Sequence, residues 1–550
     1  MRKASLNADY VRTEISRWQA RSMVMSTRGI VAAENPLAAQ AGAVMLAVGG
    51  HAVDAAIAAN AVMGVVAPMM NGIGGDLFAI VHDVSTGNVQ GLNASGWSPE
   101  GATMEFLSSR GMTMMPQTGI HSVTVPGAVS GWMALHEKFG HESLDSILSA
   151  AIMHADDGFP VSEITALEWL GSVPALQADP NAAALYLPGG RSPAAGEIFR
   201  NPELAETLRA IARDGGDAFY RGEIAERILR CSAEHGGAHT AADFADYKAE
   251  WVAPLTTNYR GWDVYEIPPN SQGIAALVML NILEGLPLNK MGRGTVETLH
   301  TMIEAKKLAY ADMLRHVGDP RFSKVPVEAM LSKAYARQRA ALIDPRRAAA
   351  SVDAGHIPAH GGDTTYLCVV DILGNMVSLI QSNFANFGSG VVPEGTGFAL
   401  QSRGGLFTFD PSHPNVLEPR KRPLQTVIPG FMRRDHLSLG FGVMGGWNQP
   451  QAHVQFISNI VDHGLNIQAA LEAPRFVKLT FSGTDVMLES RFPEDVRRDL
   501  EQKGHQIDLQ GEFSNMVGGG QAVMHDARAG VNYGASDPRK DGAAIPEPIL

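Results

Sequence analysis

The segment Gly361-Gly362-Asp363-Thr364-Thr365-Tyr366-Leu367-Cys368-Val369-Val370-Asp371 holds the most specific chemical potential in the chain. A glycine-rich approach runs directly into a strand pattern that opens with Thr-Thr. Cutting the Asp363–Thr364 peptide bond would leave a hydroxyl and a free α-amine on Thr364. An α-amine titrates near about 7.7–8.0, so close to neutral pH much of it can accept the hydroxyl proton, directly or through a water. Nucleophile and base would then share one residue, with no need of a neighbouring His or Asp. The competing reading is a Thr-Thr pair selected only for its strand propensity. Acyl transfer also needs donors for the oxyanion. Gly445-Gly446 lies in Gly442-Val443-Met444-Gly445-Gly446-Trp447-Asn448-Gln449-Pro450-Gln451, directly after a strand pattern. Residues without Cβ let backbone N–H groups approach a substrate closely. Taken alone, such a pair is equally a turn.

Other chemistries find less support. No G-x-x-x-x-G-K-[ST] phosphate loop and no G-x-S-x-G serine turn occurs. His136-Glu137 and His141 resemble a zinc motif with one residue too many, which turns the two rings about 140° apart on a helix, so a solvated helix end is expected. Gly72-Ile73-Gly74-Gly75-Asp76 precedes a strand pattern instead of following one, unlike a dinucleotide fingerprint. The 44 Lys+Arg against 57 Asp+Glu give a net charge of −13, which argues against nucleic acid as a partner. Cys231 and Cys368 cannot build a disulfide framework, and Cys368, behind Thr364 on its strand, reads as a buried apolar residue.

The elements that must position these residues follow from periodicity. Helices are expected over Ala38–Val48 and Ala52–Val66, separated by Gly49-Gly50, and over Val296–His316, with its apolar residues on one side and its charges elsewhere. Hairpins are expected for Phe78–His82 with Val89–Leu92, and for Thr364–Asp371 with Met376–Ser382. Leu437–Val443 and Ala522–His525 read as buried strands, and residues 346–363 as a linker. No repeat period is present, and 45% hydrophobic against 18% charged residues implies a large core. The first 25 residues hold no apolar run of signal-peptide length, and Asp54 and Gly49-Gly50-His51 interrupt the most apolar stretch. A soluble cytoplasmic protein without membrane contact is the expectation.

The ordered motifs resemble the gamma-glutamyltransferase family of N-terminal nucleophile hydrolases. They are Gly49-Gly50-His51-Ala52-Val53-Asp54-Ala55-Ala56, Gly72-Ile73-Gly74-Gly75, Ser122-Val123-Thr124-Val125-Pro126-Gly127, Asp157-Gly158-Phe159-Pro160 and Pro268-Pro269-Asn270-Ser271-Gln272-Gly273. Asp312, Asp319-Pro320, Asp363-Thr364-Thr365, Lys421-Arg422-Pro423-Leu424, Gly445-Gly446 and Gly534-Ala535-Ser536-Asp537-Pro538-Arg539 complete the series. The resemblance implies an α/β (α+β) four-layer αββα sandwich, made as one proenzyme. Self-cleavage of the Asp363–Thr364 bond would yield a large chain, 1–363, and a small chain, 364–550, intertwined as a heterodimer in one domain. It implies Thr364 as nucleophile, Ser382 as a supporting hydroxyl and Gly445 and Gly446 as the oxyanion hole, with no metal or organic cofactor. His360 and Asp363, beside the scissile bond, could assist processing or serve loop solvation.

The sequence departs from the glutamate-binding members at the substrate clamp. The position of their carboxylate-binding Arg falls on Ser95. Their Asn and Asp for the α-amino group fall on Phe384 and Leu406, and their Ser-Ser on Gln425-Thr426. Burying an α-amino acid without partners for its two charges is costly. The pattern Leu400-Gln401-Ser402-Arg403-Gly404-Gly405 is more similar to the oxamate amidohydrolase-like branch, with Arg403 as the candidate cation for a substrate carboxylate. A surface or interface Arg is the competing role. The reading is an autoprocessing threonine amidohydrolase for a small, oxamate-like amide. Glutathione hydrolysis or γ-glutamyl transfer is one alternative, and an unprocessed binding protein is the other.

Overall fold

A computed structural model describes residues 19–353 and 363–550. The first 18 residues and most of the expected linker, His360 included, lie outside the described residues. Of Asp363 only the backbone is described.

Two seven-stranded antiparallel sheets form the centre. One runs in the order Val24–Ser26, Val531–Ser536, Gly520–Asp526, Leu437–Val443, Gly430–Arg434, Trp262–Glu266, Leu255–Tyr259. The other runs Ala543–Pro546, Ile30–Ala33, Asp363–Val370, Met376–Phe384, Asp76–Asp83, Asn88–Ala94, Glu250–Val252. Both sheets mix strands from before and after the Asp363–Thr364 bond. Two pieces parted there would still share ladder hydrogen bonds in each sheet.

Strand alternation sorts the side chains into three cores. Tyr366, Cys368 and Val370, Met376 and Ile380, Phe78 and Ile80 meet Phe431 and Val523 of the facing sheet. Their odd-numbered neighbours Leu367, Val369, Val377, Leu379, Leu77, Ala79 and Val81 point the other way, onto helices that include Pro36–Ala47, Ala52–Val66 and Ala128–Phe139. Leu439, Phe441, Val443 and Met524 pack outward against Gly273–Glu284, Val296–His316, Gln449–Val461 and Ile467–Glu472. The result is the expected helix, sheet, sheet, helix sandwich. Cys368 is fully buried between the sheets, where burial pushes its thiol up and keeps it un-ionised.

Local signals act as their chemistry requires. Gly49 and Gly50 donate to Leu46 O and Met45 O at 3.0 Å each, closing a helix whose glycine stop takes φ 106°. His51 then opens the next helix in a capping box with Asp54. Val296–His316 has the expected bounds, but its faces differ from the expectation. Glu304, Lys306 and Lys307 are buried with the apolar residues, because Lys307 pairs with Glu304 at 2.7 Å and Lys306 donates to Thr480 O at 2.9 Å. His136 ends its helix with its ring on Glu142 O and does not meet His141.

The terminal motif Asp537-Pro538-Arg539 ties the last strands to the outer helices. The buried Arg539 grips Glu489 with two nitrogens at 2.7 and 2.6 Å, and donates to Asp537 and to the carbonyls of Leu471 and Ala473. Removing one partner of such a network strands the others. Arg539→Met should lower unfolding free energy by roughly 3 kcal/mol in urea titration; a change below about 1 kcal/mol would show the network to be dispensable.

Candidate active site

Thr364 is placed by register. Asp363 pairs with Phe384 and Thr365 with Gln381, so Ser382 and Asn383 together oppose the single residue Thr364. This is a β-bulge in the strand Met376–Phe384, a device that re-aims a side chain. It ends at Phe384, whose φ of 78° lies in the left-handed region, uncommon for an aromatic residue. Ser382 pairs in turn with Asp76. By the alternation that sorts the cores, Thr364, Ser382 and Asp76 form a row across three strands, on the face that looks toward the other sheet. Gly75 lies where the Gly72-Ile73-Gly74-Gly75 segment passes the bulge, and a Cβ there would stand 2.6 Å from Ser382 O.

Along this row the polar atoms are connected. Thr364 Oγ1 donates to Ser382 Oγ at 3.2 Å, and Ser382 Oγ also accepts the Phe384 N–H at 2.8 Å. Asp76 is fully buried. Its carboxylate accepts the Gly96 N–H at 2.9 Å, the Gly127 N–H at 3.2 Å and Gln425 Nε2 at 2.6 Å. Burial raises its pKa to about 6, opposed by the charge of Arg403 and by these donors. Gln425 Nε2 also reaches Ser95 Oγ at 2.9 Å, and Asn270 Nδ2 reaches the same oxygen at 3.2 Å. Ser95 therefore belongs to a hydrogen-bonded wall.

The other sheet brings the glycines. The strand Leu437–Val443 runs out into Gly445 (φ 121°) and Gly446 (φ 57°), and a short turn Gly446–Asn448 leads into the helix Gln449–Val461. Positive φ at two successive residues requires glycine. Among the described residues neither the Gly445 nor the Gly446 N–H meets an acceptor. Gln449 Nε2 stands 3.5 Å from Thr364 Oγ1, which sets this turn beside the threonine. Backbone donors left unengaged, on a turn that a side chain links to a hydroxyl, have the chemistry to receive a carbonyl oxygen that turns anionic.

Arg403 begins the short turn Arg403–Leu406 and is fully buried, which removes the surface reading. Its Nη1 donates to Thr426 Oγ1, while Nε and Nη2 meet no partner. The guanidinium lies 4.9 Å from the Phe384 ring centre. Burial lowers its pKa to about 9, with Asp76 acting in the opposite direction. Phe384 and Leu406 are buried apolar residues. Arg403, Thr426, Gln425 and Phe384 are thus gathered near the threonine row from three separate stretches of chain.

Three residues here escaped the chemistry-first reading. Asp76 was visible only as the residue after a glycine run. Gln272 was visible only as one residue of the Pro268–Gly273 motif. Glu34 accepts Thr365 Oγ1 at 3.1 Å and the Tyr366 N–H at 3.2 Å, one residue beyond Thr364, and nothing in its local sequence marks it.

Among the described residues one cluster has the composition of a metal site, His300, Glu304 and His505, on the helix Val296–His316 and ahead of Gln506–Gln510. Hydrogen bonding accounts for it without an ion. His300 Nε2 donates to Asp344 O at 2.8 Å, leaving Nδ1 to accept His505 Nε2 at 2.8 Å. Burial first, then the charges of His300, Lys307, Lys478 and Lys503, hold His505 down at about 3, a field unfavourable to a cation.

Asp76 makes the fold sensitive to pH. Its folded pKa lies above its ordinary value of 3.8, so the folded state binds the proton more tightly than the unfolded chain. The stability this adds is full below pH about 4 and is lost as pH rises through about 6. The stability of the wild type relative to Asp76→Asn should therefore fall by on the order of 1–3 kcal/mol across that window. Urea midpoints measured for both proteins from pH 4 to 7 check this, and a constant difference would contradict it.

The chain matches the family model described as gamma-glutamyltranspeptidase over residues 38–547. It is 37% identical over 527 residues to the glutathione hydrolase-like YwrD proenzyme of Bacillus subtilis, covering 95% of this chain and 99% of that protein. It is 34% identical to the oxamate amidohydrolase proenzyme of Klebsiella pneumoniae, covering 94% and 98%. The crystal structure of a cephalosporin acylase from Bacillus halodurans superposes with a TM-score of 0.90 at 41% identity, covering 97% and 98%. The chain therefore belongs to the gamma-glutamyltranspeptidase family, the autoprocessed N-terminal nucleophile amidohydrolases, and it is a hydrolase.

Proposed function

We propose that the chain cuts itself at Asp363–Thr364 and then hydrolyses a small amide that carries a carboxylate beside the scissile carbonyl, as oxamate does. In the first step Thr364 Oγ attacks the Asp363 carbonyl carbon, and the peptide nitrogen leaves as the Thr364 α-amine. Water then hydrolyses the resulting ester, giving an Asp363 carboxylate and a free Thr364 hydroxyl. The two chains, 1–363 and 364–550, stay together through their shared sheets.

In turnover the Thr364 α-amine takes the hydroxyl proton as Oγ attacks the substrate carbonyl. The oxyanion lies against the Gly445 and Gly446 N–H groups. The proton passes to the departing amine, and the same amine activates the water that frees the acyl group. Ser382 holds the Thr364 hydroxyl in line.

The observation that carries the substrate class is the buried Arg403 with two nitrogens unpartnered. A buried cation short of hydrogen bonds is costly, and a carboxylate fits a guanidinium edge with two parallel bonds. The positions assigned to an α-ammonium group offer it no free anion. Phe384 and Leu406 are apolar, and Asp76 already accepts three donors. The oxamate amidohydrolase among the relatives supports this reading. The YwrD relative, named glutathione hydrolase-like, favours the second reading, a γ-glutamyl substrate.

Steady-state kinetics with oxamate and with γ-glutamyl-4-nitroanilide separate the two. The wild type should favour oxamate in kcat/KM by at least about tenfold, and Arg403→Met should raise KM for oxamate about 100-fold. Preference for the anilide, or an unaltered KM in the variant, would reject the carboxylate assignment.

A further inference from the structure

The motif Pro268-Pro269-Asn270-Ser271-Gln272-Gly273 has no part in the chemistry above, yet it is bound closely to the site. It straps residues 423–427, which lie on the far side of the cleavage point in the chain. The Gln425 N–H donates to Asn270 O at 2.7 Å, the Gln272 N–H to Gln425 O at 2.9 Å, Ser271 Oγ to Val427 O at 3.1 Å, and Asn270 Nδ2 to Pro423 O at 2.7 Å. Gln272, wholly buried at the start of the helix Gly273–Glu284, reaches further. Its Nε2 donates both to Thr426 O and, at 2.8 Å, to Gly446 O. One side-chain amide thus joins the residue whose hydroxyl receives Arg403 to the second glycine of the turn.

We propose that Gln272 is a positioning residue that sets the orientation of the Gly445–Gly446 turn. This rests on the reading that the N–H groups of that turn receive the oxyanion. Two successive glycines at positive φ have the greatest backbone freedom of any residues, so their aim must be imposed from outside. Three consecutive carbonyls carry the restraint. Gly445 O accepts the Asn448 N–H at 2.9 Å, Gly446 O accepts Gln272 Nε2, and Trp447 O accepts the Tyr310 hydroxyl at 2.5 Å. On the opposite side Asn448 Nδ2 donates to Val517 O at 2.8 Å. Because each peptide unit is planar, Asn448 on the Gly445 carbonyl sets the Gly446 N–H, while Gln272 on the Gly446 carbonyl sets the next peptide, with the Trp447 N–H, and so anchors the end of the turn. Gln272 and Tyr310 both precede the Asp363–Thr364 bond, while the turn follows it. The part of the chain released from Thr364 therefore still governs the turn that serves it. Both neighbours of Nε2 are carbonyl oxygens, which commits the amide to donating; Oε1 has no partner. Gly446 O also accepts the Gln449 N–H, so losing Nε2 would remove one of its two donors and loosen this anchor of the turn.

The test uses the purified two-chain protein and 4-nitrophenyl acetate, an activated ester that makes no demand on Arg403. Nitrophenolate release by the wild type, corrected by Thr364→Ala, reports acylation of Thr364. Gln272→Met removes the donor at nearly constant volume. It should still yield two chains and keep its thermal midpoint within a few degrees. The half-saturating ester concentration should stay within about twofold, while the maximal acylation rate drops about 10- to 100-fold. If Gln272→Met does not fold, Gln272→Glu, equal in size and acceptor-only when ionised, should show the same drop. A maximal rate within twofold of the wild type, or a loss confined to half-saturation, would overturn the proposal. Absence of Thr364-dependent release in the wild type would instead remove the nucleophile reading beneath it.

Discussion

The site depends on one lateral contact, the hydrogen bond that Thr364 makes to Ser382 across a bulged pair of central strands. A regular ladder would set one residue against Thr364. The bulge sets two there, so that the Ser382 hydroxyl faces Thr364 Oγ1 and its register partner Asp76 extends the row. Thr364 stands at the start of a strand flanked on both sides, so the strand behind it is held by two neighbours. The strands Ile30–Ala33 and Met376–Phe384 grip the rest of Asp363–Val370. A nucleophile freed by cleavage would have to be in place when cleavage occurs, and a central strand would meet that requirement.

The four-layer arrangement follows from the same constraint. A strand buried on both faces needs two cores, and the second sheet that covers one face also delivers the Gly445–Gly446 turn from its strand Leu437–Val443. Polar groups gather in the gap between the sheets at this end, while Tyr366 and Ser378 pair by their hydroxyls farther along. There they are satisfied by one another, as Asp76, Ser95 and Asn270 are, or left open, as Arg403 and Gln425 Oε1 are. Low dielectric makes both conditions consequential. A satisfied network is rigid, and an unsatisfied cation is a demand for an anion.

Much of this was legible locally. Thr364, Gly445 and Gly446 announce themselves because their chemistry depends on residue type and on neighbours in sequence: a strand that opens with threonine, a turn that only glycine can make. Helix ends at Gly49-Gly50 and the hairpin after Asp371 are equally local. Asp76, Glu34 and Gln272 are different. Each acquires its role from a partner more than 150 residues away, through strand register or a side-chain bridge, and no spacing in the sequence reports that. The long helix Val296–His316 shows the same divide. Its ends were readable, but the burial of its lysines was decided by Glu304, Thr480 and a neighbouring layer. Arg403 lies between these cases: its motif was visible, and its complete burial was not.

The account stands or falls on Thr364 as the product of self-cleavage. Denaturing mass spectrometry of the purified wild type beside Thr364→Ala tests this most directly. The account predicts two fragments in the wild type, parted between Asp363 and Thr364, and one intact chain in the variant. A wild type that remains a single chain while folded, or a variant cut at the same bond, would contradict it.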